Sequence, residues 1–381
     1  MIYLDHAAST SLRPEAIAAA ELVWQDAPAN PTGAHSRAQA VRGYLELARE
    51  RLAGMCDVRP NDVVFTSGGT ESDNWAIRAG ASRGAVLYSG VEHPAVREPA
   101  SACEGMAIRV DSDGVVDLDH LEKLLRGGPP VGVVSVMSAN NETGVIQPLG
   151  EISRLIADVS PNTFLHSDAV QSFTKLPLDV GDTGVQAAAV SAHKLGGPIG
   201  TGAMITTESL DLEPLLVGGG QERGLRAGTP DPAGAHAFAA AANAAVACDW
   251  APIAGLRDRL EAALLDAIPG LVVYGAGAER LPTHCQVGIE GLPADMAVIA
   301  CDRAGLAISS GSSCASGATA PSGALAAMGV SGEGSLRFSL GWTTTAADID
   351  SALDIVVDVV ASLRAKPVGD VAATGGDEVR R

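Results

Sequence analysis

Aromatic side chains are scarce: Phe, Trp and Tyr together make up 3% of 381 residues, within a hydrophobic share of 46%. The core must therefore be built from Ala, Val, Leu and Ile. Basic charge is also short. Lys and Arg number 26 against 45 Asp and Glu, a net charge of −19. Such a chain repels phosphate backbones and anionic membranes, which argues against direct nucleic-acid or membrane binding. Long apolar runs are missing as well, so no transmembrane helix is expected. The segment Ala233–Cys248 comes nearest, but His236 and Asn243 interrupt it. The opening Met-Ile-Tyr-Leu-Asp-His has neither the basic nor the apolar part of a signal peptide. Six cysteines, at 56, 103, 248, 285, 301 and 314, show no CxxC pair or close spacing. That excludes a disulfide framework and an intrinsic metal site, and it fits a cytoplasmic location.

What is present is an alternation of short apolar runs and amphipathic segments. Val63–Thr66, Ala85–Tyr88, Val131–Met137, Phe164–His166 and Ala187–Val190 read as buried strands. Pro14–Gln25, Ala38–Met55, Leu118–Leu125 and Gly150–Asp158 read as helices. The pattern predicts an α/β fold with a mostly parallel central sheet covered on both faces. After Thr229 the texture changes. A long Ala-rich helical region, Pro232–Ala267, precedes strands near Leu271–Tyr274, Cys285–Ile289 and Leu336–Leu340, with a last helix near Ala346–Leu363. We expect a large domain over 13–245, a smaller α+β domain from 1–12 and 246–365, and a flexible tail at 366–381.

Motifs sit where the strands end. Ser67-Gly-Gly-Thr-Glu-Ser72 follows a strand and opens a helix, an arrangement suited to an anion, with Thr70 as an added donor. An ordinary N-cap is the plainer reading. His166-Ser-Asp-Ala-Val-Gln171 puts Asp168 at a strand's C-terminal end, where open α/β sheets bind ligands. It could cap a helix or hold a proton on a heteroaromatic nitrogen. Ser191-Ala-His-Lys-Leu-Gly-Gly197 places Lys194 after an apolar strand, where a desolvated amine can form a Schiff base. Those three contributions are what a protein offers pyridoxal phosphate. His93, in Glu92-His-Pro-Ala95, could stack on a ring and shuttle protons, and Asn140-Asn-Glu-Thr-Gly144 offers an amide. Cys314 lies among Ser312, Ser313, Ala315, Ser316 and Gly317, an exposed loop composition.

These residues resemble the pyridoxal phosphate-dependent cysteine desulfurases of nitrogenase and iron–sulfur cluster assembly, within the class V aminotransferases. The resemblance runs from Tyr3 to about Ala361. It is carried by FTSGGTESDN (65–74), EHPAV (92–96), NNETG (140–144), HSDAVQS (166–172), SAHKLGGP (191–198), GGGQERGLRAGT (218–229), SSGSSCAS (309–316) and LRFSLG (336–341). It implies a fold-type I architecture and a homodimer. Lys194 would hold the cofactor, Asp168 would face its ring nitrogen and Gln171 its hydroxyl, and His93 would stack on the ring and move protons. Gly69, Thr70, Ser191 and His193 would bind the phosphate, and Thr229 would reach the phosphate of the other subunit. Asn141 would lie beside the cofactor and, with Arg337, hold the carboxylate of L-cysteine. Cys314 would be the nucleophile that takes the sulfur as a persulfide and passes it to an acceptor, for iron–sulfur assembly or for tRNA or cofactor thiolation. It could also transiently ligate a cluster shared with a scaffold. The same residues would cleave a carbon–selenium bond.

Overall fold

The computed structural model describes residues 1–26, 29–178, 180, 183–208, 210–311 and 322–365. Cys314 and the expected tail at 366–381 lie outside the described residues. In chain order the first elements are β1 (Ile2–Tyr3), α1 (Pro14–Asp26), α2 (Ser36–Met55), β2 (Val63–Thr66), α3 (Gly69–Ala81), β3 (Ala85–Ser89), α4 (Pro94–Ala102) and β4 (Met106–Ile108). Next come α5 (Leu118–Gly127), β5 (Val131–Ser135), α6 (Leu149–Val159), β6 (Phe164–Asp168), β7 (Ala187–Ser191) and β8 (Gly202–Thr206). The remainder is α7 (Pro232–Val246), α8 (Ala251–Ala267), β9 (Leu271–Val273), β10 (His284–Ile289), α9 (Ala294–Arg303), β11 (Leu306–Ala307), α10 (Gly323–Ala327), β12 (Ser335–Ser339) and α11 (Ala346–Ala365).

The central sheet has seven strands in the order β2-β8-β7-β6-β5-β3-β4. All pairings are parallel except those of β8, which runs antiparallel to both β2 and β7. Alternate side chains face opposite ways, as the pleat requires. Phe65, Leu87, Val134, Leu165, Ala188 and Ile205 join one core with α2, α5, α6 and α7. Their neighbours Val64, Val86, Val133, Phe164, Ala187 and Met204 join another with α3 and α4. This is the expected α/β architecture. Two short strands, β4 and β8, were not foreseen.

A third core forms around the antiparallel sheet β12-β10-β9. Cys285, Val287 and Ile289 on β10 and Leu336 and Phe338 on β12 turn to α8, α9 and α11. The opposite face of these strands carries the buried polar residues His284, Gln286, Ser335, Arg337 and Ser339, with Gln286 paired to Arg337 and His284 to Ser339. β1 pairs with β11, and Asp5 bridges Ser339, so the first residues belong with this sheet. On these separate cores we propose the division into domains of 13–245 and of 1–12 with 246–365.

The Ala-rich helical region expected over 232–267 is made of two helices, α7 and α8, bent by 75°. Pro252 near the start of α8 marks the break. Among the described residues no single helix is long and apolar enough to cross a membrane. Cys56, Cys285 and Cys301 are buried, whereas Cys103 and Cys248 are part-exposed at helix ends.

The open edge of the central sheet, β2, is closed by side chains. Arg49 on α2 donates to the Val63 carbonyl at 2.7 Å, and Glu222 accepts from the Phe65 N–H at 3.0 Å. Arg49 and Glu222 also pair with each other through two bonds of 2.8 Å, both side chains almost fully buried. The pair holds a turn in which Glu222 and Arg223 have φ of 46° and 59°, a region that non-glycine residues rarely adopt. Removing one partner leaves the other charge buried and uncompensated. Glu222→Ala should therefore lower the unfolding free energy by about 3–5 kcal/mol in urea titrations, whereas changes to the exposed pair Arg126–Glu122 should stay within about 0.5 kcal/mol.

Candidate active site

Three parallel strands, β5, β6 and β7, end side by side, and the loops after them supply most of the site. The apolar strands terminate at polar residues, and the carboxyl ends of strands are where open α/β sheets bind ligands. A cavity of about 320 Å³ opens there. It is lined by Gly69, Thr70, His93, Asn141, Asp168, Gln171, Ser191, His193, Lys194 and Arg337. These are all the sequence-predicted site residues except two. Thr229 is exposed on its loop and does not line the cavity. Cys314 lies outside the described residues, and Gly311, which precedes that span, lines the cavity.

Lys194 follows β7. Its amino group donates to the carbonyls of Ala7 at 2.6 Å and Ala8 at 2.9 Å. Gln171 donates to the same Ala7 carbonyl at 3.0 Å. Asp168 ends β6, buried, with one carboxylate oxygen accepting from the Val170 N–H at 2.9 Å. Burial pushes its carboxyl above the usual range, and His93 and Lys194 draw it back down. His93 caps α4, its Nδ1 accepting from the Ala95 N–H at 3.1 Å. A neutral ring therefore carries its proton on Nε2. Burial lowers its pKa, Asp168 opposing and Lys194 reinforcing the shift. His193 is pushed down to about 4, by burial and then by Lys194.

The N-terminus of α3 forms the other wall. Gly68 has φ of 151°, and a Cβ on Gly69 would come within 2.7 Å of Val170. Glycine is thus required for the helix to sit this close to the loop after β6. Glu71 accepts from the Ser67 N–H at 2.8 Å and pairs with Arg226 at 2.8 Å, tying this wall to the loop at 218–229. From the small sheet, Arg337 donates to Asp5 at 2.7 Å and to the Asn141 carbonyl at 3.0 Å.

Four charged residues belong to the surroundings of this site without having been assigned by the sequence reading: Asp5, Asp73, Glu92 and Lys175. Asp73 lines the cavity from α3, is buried, and has no hydrogen-bond partner among the described residues. His166 Nε2 lies 3.5 Å from it. Glu92 accepts from the Met137 N–H at 2.6 Å. Burial, then the charge of Asp168, pushes both carboxyls well up. The only sequence signal was spacing, since Asp73 lies four residues after Gly69 and so on the same helix face.

The donors fit pyridoxal phosphate. An enclosed amine, a buried carboxylate opposite it, a flat imidazole and a glycine-opened helix N-terminus converge on one cavity. They define a pyridoxal phosphate-binding α/β enzyme. The family model described as aminotransferase class-V matches residues 2–352. An IscS-like cysteine desulfurase of Mycobacterium tuberculosis is 38% identical, the match covering 96% of this chain and 97% of that one. A cysteine desulfurase of Cereibacter sphaeroides is 36% identical over 100% of this chain and 99% of its own. The solved structure of a NifS-like protein from Rickettsia africae superposes with a TM-score of 0.87 at 28% identity, covering 95% of this chain and 99% of that one. The chain belongs to the class-V aminotransferases and, within them, to the cysteine desulfurases.

His166, fully buried on β6, has its pKa pushed down to about 3 by burial. Unfolding returns it to about 6.5. Above 6.5 the neutral ring costs nothing extra, and as pH falls toward 3 the unfolded chain binds a proton that the folded one refuses. The stability difference between wild type and His166→Asn should therefore shrink by about 1–2 kcal/mol between pH 7 and pH 5, measured by urea unfolding at both.

Proposed function

We propose that this chain is a homodimeric cytoplasmic enzyme that converts L-cysteine to L-alanine, leaves the sulfur as a persulfide on Cys314, and passes it to an acceptor protein for iron–sulfur cluster assembly or for tRNA or cofactor thiolation. The observation that carries the reading is the single cavity on which Lys194, Asp168, His93 and Arg337 converge, with Gly311, close before Cys314 in sequence, in its wall.

Roles follow from the chemistry of each group. Pyridoxal phosphate bound to Lys194 supplies an electron sink that weakens bonds at the substrate's carbons. The amides at the start of α3, with Thr70, Ser191 and His193, would receive the phosphate. Asp168 would face the ring nitrogen, and a proton there would let its carboxyl ionise despite burial. Gln171 would reach the ring hydroxyl. Arg337 and Asn141 would hold the substrate carboxylate, with the Arg337 fork able to grip both oxygens. His93, with its proton on Nε2, and Lys194 would move protons between substrate carbons and solvent. The Cys314 thiolate would then attack the substrate sulfur. A sulfur–sulfur bond forms, the carbon–sulfur bond breaks, and the carbon takes a proton to give alanine. The exposure of Thr229 supports its reaching a second copy of the chain, and the loop at 218–229 that carries it is braced by Arg226–Glu71 and Arg49–Glu222.

Purified protein given L-cysteine and a reductant should release alanine and sulfide in equal amounts. Cys314→Ala should keep the visible absorbance of the bound cofactor and lose sulfur release, whereas Lys194→Ala should lose the absorbance. Undiminished sulfur release from Cys314→Ala would overturn the mechanism. Arg337→Lys, which cannot grip a carboxylate bidentately, should raise KM for cysteine about tenfold or more with a smaller effect on kcat.

A further inference from the structure

A second and much smaller cavity shares Ala7, Gln171 and Lys194 with the main one. It measures about 10 Å³, room for roughly one water. Arg13, Lys175 and Lys194 all line it, and no Asp or Glu is among its described lining residues. Lys175 is half-buried as a residue, and burial is the first cause of its lowered pKa. That amino group donates to the Gln171 carbonyl at 2.8 Å and lies 5.8 Å from the centre of the Trp250 ring. Gln171 in turn donates to the Ala7 carbonyl that receives Lys194. Arg13 donates to the carbonyl of Leu195, next to Lys194, at 2.9 Å and stacks on Trp342 at 4.8 Å. Outside the cavity its guanidinium faces Cys248 and Glu15, which partly offset the effect of burial.

Three cationic side chains thus enclose one space with carbonyls but no carboxylate. Carbonyls orient an ammonium group without cancelling its charge, so each cation raises the cost of the next. The neighbouring rings report the same field. Burial and then Lys175 push His6 down to about 4, and His284 is driven well down by the same two causes. Lys175 itself falls to about 7, by burial, then Lys194, then Arg13. On the other side of Lys194, Asp168 acts in the opposite sense, while His93, His193 and Arg337 stand around it.

We propose that Lys175 is a positioning residue for the charge on Lys194: as a cation in the same carboxylate-free cavity, it opposes protonation of the Lys194 amino nitrogen and so keeps that nitrogen available as a base. This inference rests on the reading that Lys194 carries the cofactor.

The test is a pH titration of the visible absorbance of the cofactor-loaded protein, in wild type, Lys175→Met and Lys175→Arg. Lys175→Met removes the cation with little change in shape. It should raise the midpoint for protonation of the Lys194 nitrogen by about 1 pH unit, tenfold in proton affinity. Lys175→Arg, which stays charged, should leave the midpoint at or below that of wild type. A midpoint within about 0.2 unit of wild type in folded Lys175→Met would overturn the proposal. Should Lys175→Met fail to fold, Lys175→Gln removes the same charge and must move the midpoint the same way; an unmoved midpoint there would also overturn it. A wild-type protein with no absorbance dependent on Lys194 would instead overturn the cofactor reading on which the inference stands.

Discussion

Two backbone carbonyls, those of Ala7 and Ala8, hold the Lys194 amino group, and the organisation of the site depends on that contact. The carbonyls belong to the N-terminal segment, which is anchored to the small sheet: Ser339 donates to Leu4, and Ala7 donates to the Ser339 hydroxyl. Lys194 belongs to the end of β7. One amine therefore joins the central sheet to the N-terminal segment at the cavity. Because a carbonyl cannot ionise, it fixes the direction of the amine while leaving its charge to be decided by surroundings. A carboxylate in the same place would have locked the amine as a cation.

Burial then sets the charge of nearly everything nearby. Carboxyls at Asp73, Glu92 and Asp168 are driven up, histidines at 6, 166, 193 and 284 are driven down, and Lys175 falls to about 7. Each shift moves a group toward its neutral form, which is the cheaper one away from water. The interior thus approaches neutrality by exchanging protons rather than by pairing ions. Arg49–Glu222, Arg337–Asp5 and Arg226–Glu71 pair ions instead. Each arginine stays charged and takes a carboxylate partner.

The strand ends were legible because mostly apolar runs of three to seven residues give way to short polar motifs, and those motifs carry the chemistry. The cavity gathers nearly all the residues named from sequence. Less legible were features that depend on distant partners. Asp73 and Glu92 stood inside quoted motifs, yet nothing local shows that an acid is buried. Lys175 follows Gln171 by four residues and looks like an ordinary helix-surface lysine until Arg13 and Trp250 are placed around it. Arg49 and Glu222 stand 173 residues apart. The break between α7 and α8 was hidden because an Ala-rich stretch keeps helical character across it, and β8 because a five-residue strand after a glycine-rich turn has no period of its own.

Arg337 illustrates how the fold lowers the cost of recognising a substrate. It reaches the cavity from the polar face of β12, already stripped of water, with Asp5 on one nitrogen and the Asn141 carbonyl on another, while Nε has no partner among the described residues. An arginine taken fresh from solvent would lose its hydration on binding a carboxylate, and the gain would be small. Here that loss is met during folding. Under the proposed reaction an incoming carboxylate exchanges with one already present, and Asp5, whose side chain is 21% exposed, has water to turn to. A ligand without a carboxylate offers Arg337 nothing in return for the exchange. Under that proposal, selectivity for a carboxylate-bearing substrate follows from where the arginine was desolvated.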